Sequence, residues 1–124
     1  MAMKFMIVDD HQGMRGMIRQ LISASGDAVL ECGSGDEALR VAGEFKPDFV
    51  TMDISMAGRC AFEVTRGIRA AHPRTWVIFV SNHDQPAYRQ MAQAAGAAGY
   101  VLKDDLSELY FYVAAKRLHS RAKV

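Results

Sequence analysis

The sequence predicts an α/β fold, a doubly wound parallel sheet layered between helices, on three observations. Short apolar runs alternate with amphipathic helical segments five times across 124 residues. Such strict alternation demands parallel strands joined by right-handed crossovers, with helices on both faces. The strand-like runs also lack a polar side, as strands buried on both faces do. Finally, Asp9-Asp10, Asp53, Ser81 and Lys103 stand at the last residue or two of four of these runs. Ligands of an open parallel sheet bind outside the carboxyl ends of its strands, so the four sets are expected to meet in one crevice. An eight-unit βα barrel is excluded, since it needs roughly 200 residues or more.

Phe5-Met6-Ile7-Val8 is the first run and stops abruptly at Asp9-Asp10. The period then becomes helical: Met14, Met17, Ile18, Leu21 and Ile22 form one stripe, with a stop near Gly26. Ala28 to Cys32 is the second strand. Ser34 and Glu37 have the spacing of a capping box at the start of the helix carrying Ala38, Leu39, Val41 and Ala42, and Pro47 closes that unit. Phe49 to Met52 is the third strand, ending at Asp53. The next helix, from about Ala61 to Ala71, turns Phe62 and Ile68 to the sheet and ends at His72-Pro73. Trp76 to Val80 is the fourth strand, ending at Ser81; Pro86 suits the first turn of an Ala-rich helix that Gly96 terminates. Gly99 precedes the fifth strand, Tyr100-Val101-Leu102, which leads to Lys103. Ser107 is placed to cap a last helix reaching about Ser120.

Half of the residues are hydrophobic and no low-complexity stretch interrupts them, so residues 1–124 are expected to form one compact domain. Lys plus Arg (15) nearly balance Asp plus Glu (14), which gives no electrostatic argument for nucleic acid or an acidic membrane. The two cysteines, Cys32 and Cys60, lie too far apart for a CxxC motif. No apolar run approaches the roughly 18 residues of a membrane span, and Met1 to Lys4 leads into a strand instead of a signal segment. A soluble cytoplasmic protein is expected. No strand is followed by GxGxxG or GxxxxGK[ST], so the usual cradles for dinucleotides and nucleoside triphosphates are missing.

Acids, a hydroxyl and an ammonium at one sheet edge point to phosphoryl chemistry. Two carboxylates about 4 Å apart repel by roughly 4 kcal/mol at an effective dielectric of 20, so Asp9, Asp10 and Asp53 together call for a cation. An all-oxygen ligand set favours a hard ion, magnesium in particular. Aspartate at a strand end also serves simply to turn the chain, but the conjunction with Asp53 and Lys103 favours a site. No two histidines have metal-ligand spacing, and His11 and His72 are read as structural.

Ile7-Val8-Asp9-Asp10-His11 with Met14-Arg15, Gly35-Asp36-Glu37-Ala38-Leu39, Pro47-Asp48-Phe49-Val50 through Met52-Asp53-Ile54, and Ala95 through Lys103 are modest motifs singly and specific in this order. Over essentially its whole length the chain resembles a receiver domain of two-component response regulators, relatives of the chemotaxis response regulator. The resemblance implies a flavodoxin-like (βα)5 sandwich with strand order 2-1-3-4-5. It implies Asp53 as phosphoacceptor for a histidine kinase or phosphotransfer protein, and Mg2+ held by Asp10, Asp53 and the Ser55 backbone carbonyl, with Asp9 acting through water. Lys103 would pair with Asp53 and then with a phosphoryl oxygen. Ser81 and Tyr100 would form the switch, the hydroxyl moving to the phosphoryl group and freeing space for the ring. Ser55 and His83 hold the positions that tune acyl-phosphate lifetime. Ala57, Cys60-Ala61, Asn82 and Asp104 depart from the family pattern, and a more mobile loop after Asp53 is expected from the first three.

On the last helix Leu106, Leu109, Tyr110 and Val113 share one face, while Phe111 and Leu118 point away from it toward solvent or a partner. The resemblance implies that this helix, with strand 5 and the helix before it, docks a target protein or a second copy of the chain, which favours the partner. The basic end (Lys116, Arg117, Arg121, Lys123) is read as complementing the helix dipole instead of binding DNA. A fused output domain is the other expected recipient of the signal. Two other functions stay open: a receiver-like scaffold that docks without phosphorylation, and a Mg2+-dependent phosphatase with an aspartyl nucleophile. The latter normally carries a second acid two residues on, where this chain has Ser55.

Overall fold

The computed structural model describes residues 2–122, with side chains through Ser120. Strands β1 (Lys4–Val8), β2 (Ala28–Cys32), β3 (Phe49–Asp53), β4 (Trp76–Ser81) and β5 (Gly99–Leu102) alternate with helices α1 (Gln12–Ile22), α2 (Gly35–Phe45), α3 (Ala61–Ala71), α4 (Pro86–Ala94) and α5 (Glu108–Ala122). All four strand pairings are parallel and the order is β2-β1-β3-β4-β5. A 3₁₀ turn over Lys103–Asp105, unforeseen in the sequence, separates β5 from α5.

Alternation along each strand splits the core in two. Met6, Val8, Val50, Met52, Val77 and Phe79 meet α2, α3 and α4 on one face. On the other, Phe5, Ile7, Phe49, Ile78, Val80 and Val101 meet α1 and α5. The central strand β3 is buried along its full length, which accounts for its unbroken apolar character.

Several local signals act as the residues dictate. Ser34 Oγ accepts from the Glu37 N–H at 3.1 Å, the N-cap bond expected of that spacing. Glu37 differs from a capping box in reaching one residue further back, to the Gly33 N–H at 2.8 Å. Lys46, in the left-handed region at φ 54°, closes α2 ahead of Pro47. α1 ends at Ile22, before Gly26.

Two helix faces need correction. Met17 is 55% exposed; α1 packs through Met14, Ile18, Leu21 and Ile22, and Met17 lies on the flank of that stripe. On α5, Tyr110 is exposed, and Tyr112 takes its place against the core with Leu109 and Val113. The cause is Gly99, where a Cβ would stand 2.4 Å from the Tyr112 ring, so the missing side chain makes room for the tyrosine.

The basic end of α5 binds inward. Lys116 Nζ donates to the Arg74 carbonyl at 2.7 Å, and Arg117 pairs with Asp27 at 2.6 Å. The Arg121 side chain and Lys123 lie outside the described residues. Burial disfavours charge on Asp27, but Arg117 and the Ala24 and Met3 N–H groups outweigh it and hold the carboxyl below its usual value. Ser107 precedes α5 and donates its hydroxyl to Asp105 at 3.0 Å.

Candidate phosphoacceptor site

The four polar sets meet as the sheet order requires. Asp9 directly follows β1, Asp53 ends β3, Ser81 ends β4 and Lys103 directly follows β5, so they occupy the carboxyl ends of four adjacent strands. Lys103 Nζ lies 3.3 Å from Asp9 Oδ2 and 3.3 Å from Asp53 Oδ1. One ammonium, largely withdrawn from solvent, thereby bridges two buried acids.

Asp53 keeps 3% of its surface. Burial and the nearby Asp9 charge raise its pKa, against the opposing pull of Lys103 and the Ser55 N–H. That N–H reaches Asp53 Oδ1 at 3.3 Å, the oxygen that also faces Lys103. Asp10 is exposed and forms the open side of the cluster.

Asp9, Asp10 and Asp53 each offer a carboxylate oxygen, and these atoms lie within 4.8 Å of one another. Asp9 Oδ1 accepts from the His11 N–H at 2.9 Å, whereas buried Asp9 Oδ2 makes no hydrogen bond, although Lys103 stands beside it. A buried oxygen that no hydrogen bond satisfies, in an all-oxygen set whose repulsion a single ammonium only partly relieves, fits a hard cation.

Ser81 is fully buried; its Oγ accepts from the His83 N–H at 3.0 Å, which leaves its own proton for another acceptor. The Tyr100 ring is seated inward: it is 7% exposed, lies beside Phe79, and donates its hydroxyl to the His83 carbonyl at 2.6 Å. His83 joins four residues, since besides Ser81 and Tyr100 its ring stacks on Tyr88 at 4.6 Å and bonds Ser55 Oγ through Nε2 at 3.1 Å. The loop after Asp53 is tied in a second place by the Arg59–Asp36 ion pair, with Gly58 at φ 91° supplying the turn.

Phe111 and Leu118 are 81% and 66% exposed, away from the site. Sequence reasoning did not single out Tyr88 or Arg89, whose guanidinium carbon lies 4.8 Å from the Tyr100 ring centre. Both lie in the first turn of α4, where no local pattern distinguishes a residue over the site from a solvated one.

The sequence profile of the response regulator receiver domain matches residues 5–114. The chain belongs to the response regulator receiver family. This receiver domain is 38% identical over 102 residues to the response regulator GacA of Pseudomonas syringae pv. syringae strain B728a, covering 81% of this chain and 48% of that protein. It is 33% identical over 104 residues to the uncharacterized transcriptional regulatory protein YxjL of Bacillus subtilis strain 168, covering 82% and 48%. The receiver chain thus spans about half the length of these two relatives. A LuxR-family two-component response regulator from Aurantimonas sp. SI85-9A1 superposes with a TM-score of 0.84 at 36% identity, over 93% of this chain and 84% of that one. The chemotaxis protein CheY4 of Vibrio cholerae shares the fold, with a TM-score of 0.79 at 24% identity over 97% and 98%.

Proposed function

We propose that this receiver domain takes a phosphoryl group onto Asp53 from a histidine kinase or phosphotransfer protein. The supporting observation is the bridge from Lys103 to Asp53 and Asp9, 3.3 Å to each, at the strand edge that also carries Asp10 and Ser81. Both contacts to Asp53 fall on Oδ1, so Oδ2 is the oxygen assigned to attack. As the O–P bond forms, the P–N bond to the donor imidazole breaks and its electron pair leaves with the ring, which takes up a proton. Lys103 then turns to a phosphoryl oxygen, and the Ser81 hydroxyl donates to another.

Mg2+ would be held by Asp10, Asp53 and the Ser55 backbone carbonyl, with Asp9 acting through water. When bound, the ion neutralises the acids and the incoming phosphoryl oxygens. Ser55 and His83 set acyl-phosphate lifetime, and Ser81 with Tyr100 couples the acceptor to α4 and β5. Apart from forming and losing its own acyl phosphate, the domain turns over no substrate. It works in the cytoplasm. The names of its relatives support an output that reaches DNA through a fused domain or a separate target protein, without direct DNA contact by the receiver. Phe111 and Leu118 form the partner face, for that target or for a second copy of the chain.

Acetyl phosphate or phosphoramidate with Mg2+ is expected to add the mass of one phosphoryl group, and Asp53→Asn or chelation of Mg2+ to prevent it. No gain in mass would leave a phosphorylation-independent docking scaffold. Steady hydrolysis of a phosphate ester would instead identify a phosphatase.

A further inference from the structure

The pairing of β1 with β2 and β3 runs only to Val8. Asp9 lies just beyond, yet three of its polar groups are pinned. Its N–H donates to the Cys32 carbonyl at 3.0 Å, its Oδ1 accepts from the His11 N–H, and its carbonyl accepts from Arg15 Nη1 at 2.7 Å. That carbonyl belongs to the peptide plane joining Asp9 to Asp10, so whatever holds it sets the direction in which both acids leave the main chain.

Arg15 is itself locked. Its Nε donates to Glu31 Oε1 at 3.0 Å, and the other oxygen of Glu31 takes Arg19 Nη1 at 3.0 Å. The guanidinium spans from edge strand β2 to the end of β1, and the Arg15 side chain is 18% exposed. Glu31, shared with Arg19, fixes the guanidinium, and Arg15 meets the acidic cluster through the Asp9 carbonyl as a directional donor.

We infer that Arg15 is a positioning residue for the metal site: by fixing the Asp9–Asp10 peptide it sets the Mg2+ affinity of the Asp9, Asp10 and Asp53 oxygens. The inference rests on the reading of that cluster as a Mg2+ site.

The test is the Mg2+ Kd of the unphosphorylated chain, measured by calorimetry and by the Mg2+-dependent amide NMR shifts of Asp9 and Asp10. Arg15→Gln is expected to raise Kd about tenfold, the scale of outer partners of metal ligands. Arg15→Lys, which can reach the Asp9 carbonyl but not bind Glu31 at the same time, is expected to raise it less. Asp27→Asn lowers Tm by breaking the Arg117 pair at the far end of α1 and is expected to leave Kd unchanged, separating general destabilisation from positioning. Wild-type Kd in both Arg15 variants would overturn the role of Arg15 alone. A wild-type chain that binds no Mg2+ would overturn the metal reading and the inference with it.

Discussion

Ser55 Oγ and His83 Nε2 share a hydrogen bond of 3.1 Å that joins the loops following β3 and β4. Ser55 lies two residues beyond Asp53, whose own surface is nearly closed, so a bond tying these two loops together is placed to restrict access to Asp53. His83→Ala is expected to speed both phosphorylation by acetyl phosphate and subsequent hydrolysis about threefold to tenfold, up to roughly 1.4 kcal/mol of barrier. Rates from intact-mass time courses check it. Slower hydrolysis with unchanged uptake would show that the ring serves the attacking water instead of closing the site.

Asp53 carries a stability cost that depends on pH. A carboxyl whose folded pKa is raised binds its proton more tightly in the native chain than in the unfolded one. Its contribution favours the fold most below the ordinary value of about 3.9 and is lost as pH rises through the raised value. Asp53→Asn is therefore expected to stabilise the metal-free chain at neutral pH, by on the order of 1 kcal/mol, with the advantage shrinking toward pH 4. Urea unfolding of both chains in chelator between pH 4 and 8 measures the difference, and a constant difference would contradict the expectation.

Gly99 and Tyr112 are coupled by contact. Gly99→Ala would drive a methyl group into the ring, and the expected loss is about 1–3 kcal/mol. In a Tyr112→Ala background the same substitution should cost much less. A double-mutant cycle in denaturant checks this non-additivity.

Phe111 and Leu118 are too exposed to support the fold. Phe111→Ser or Leu118→Ser is expected to move stability by no more than about 0.5 kcal/mol. Each should leave phosphorylation of Asp53 intact while weakening association of the phosphorylated chain, as read by sedimentation or by target capture. Unchanged association would remove α5 as the partner face.

The site was legible because topology does most of the work. Once each apolar run is a parallel strand, a polar residue at its end has one place to go, and Asp9, Asp53, Ser81 and Lys103 need no further information to converge. Helix phase was less legible. The 3.6-residue period put Tyr110 on the core face with Leu106, Leu109 and Val113, whereas α5 begins only at Glu108 and seats Tyr112 there, in the space left by the missing side chain of Gly99 on a different element. Met17 fell to the same ambiguity on α1. The His83 contacts with Ser55, Tyr88 and Tyr100 join residues that no sequence period relates, so they emerge only when the loops are placed.

Glu31 has a consequence at the rim of the sheet. β2 is an outer strand of five residues and β5, at the opposite margin, has four. Brief margins, one carrying a carboxylate gripped by two arginines, give a neighbouring chain little length along which to add a strand of its own. The same side chain that steadies Arg15 thus also keeps a charged residue on the outer strand, the kind of placement that disfavours edge pairing.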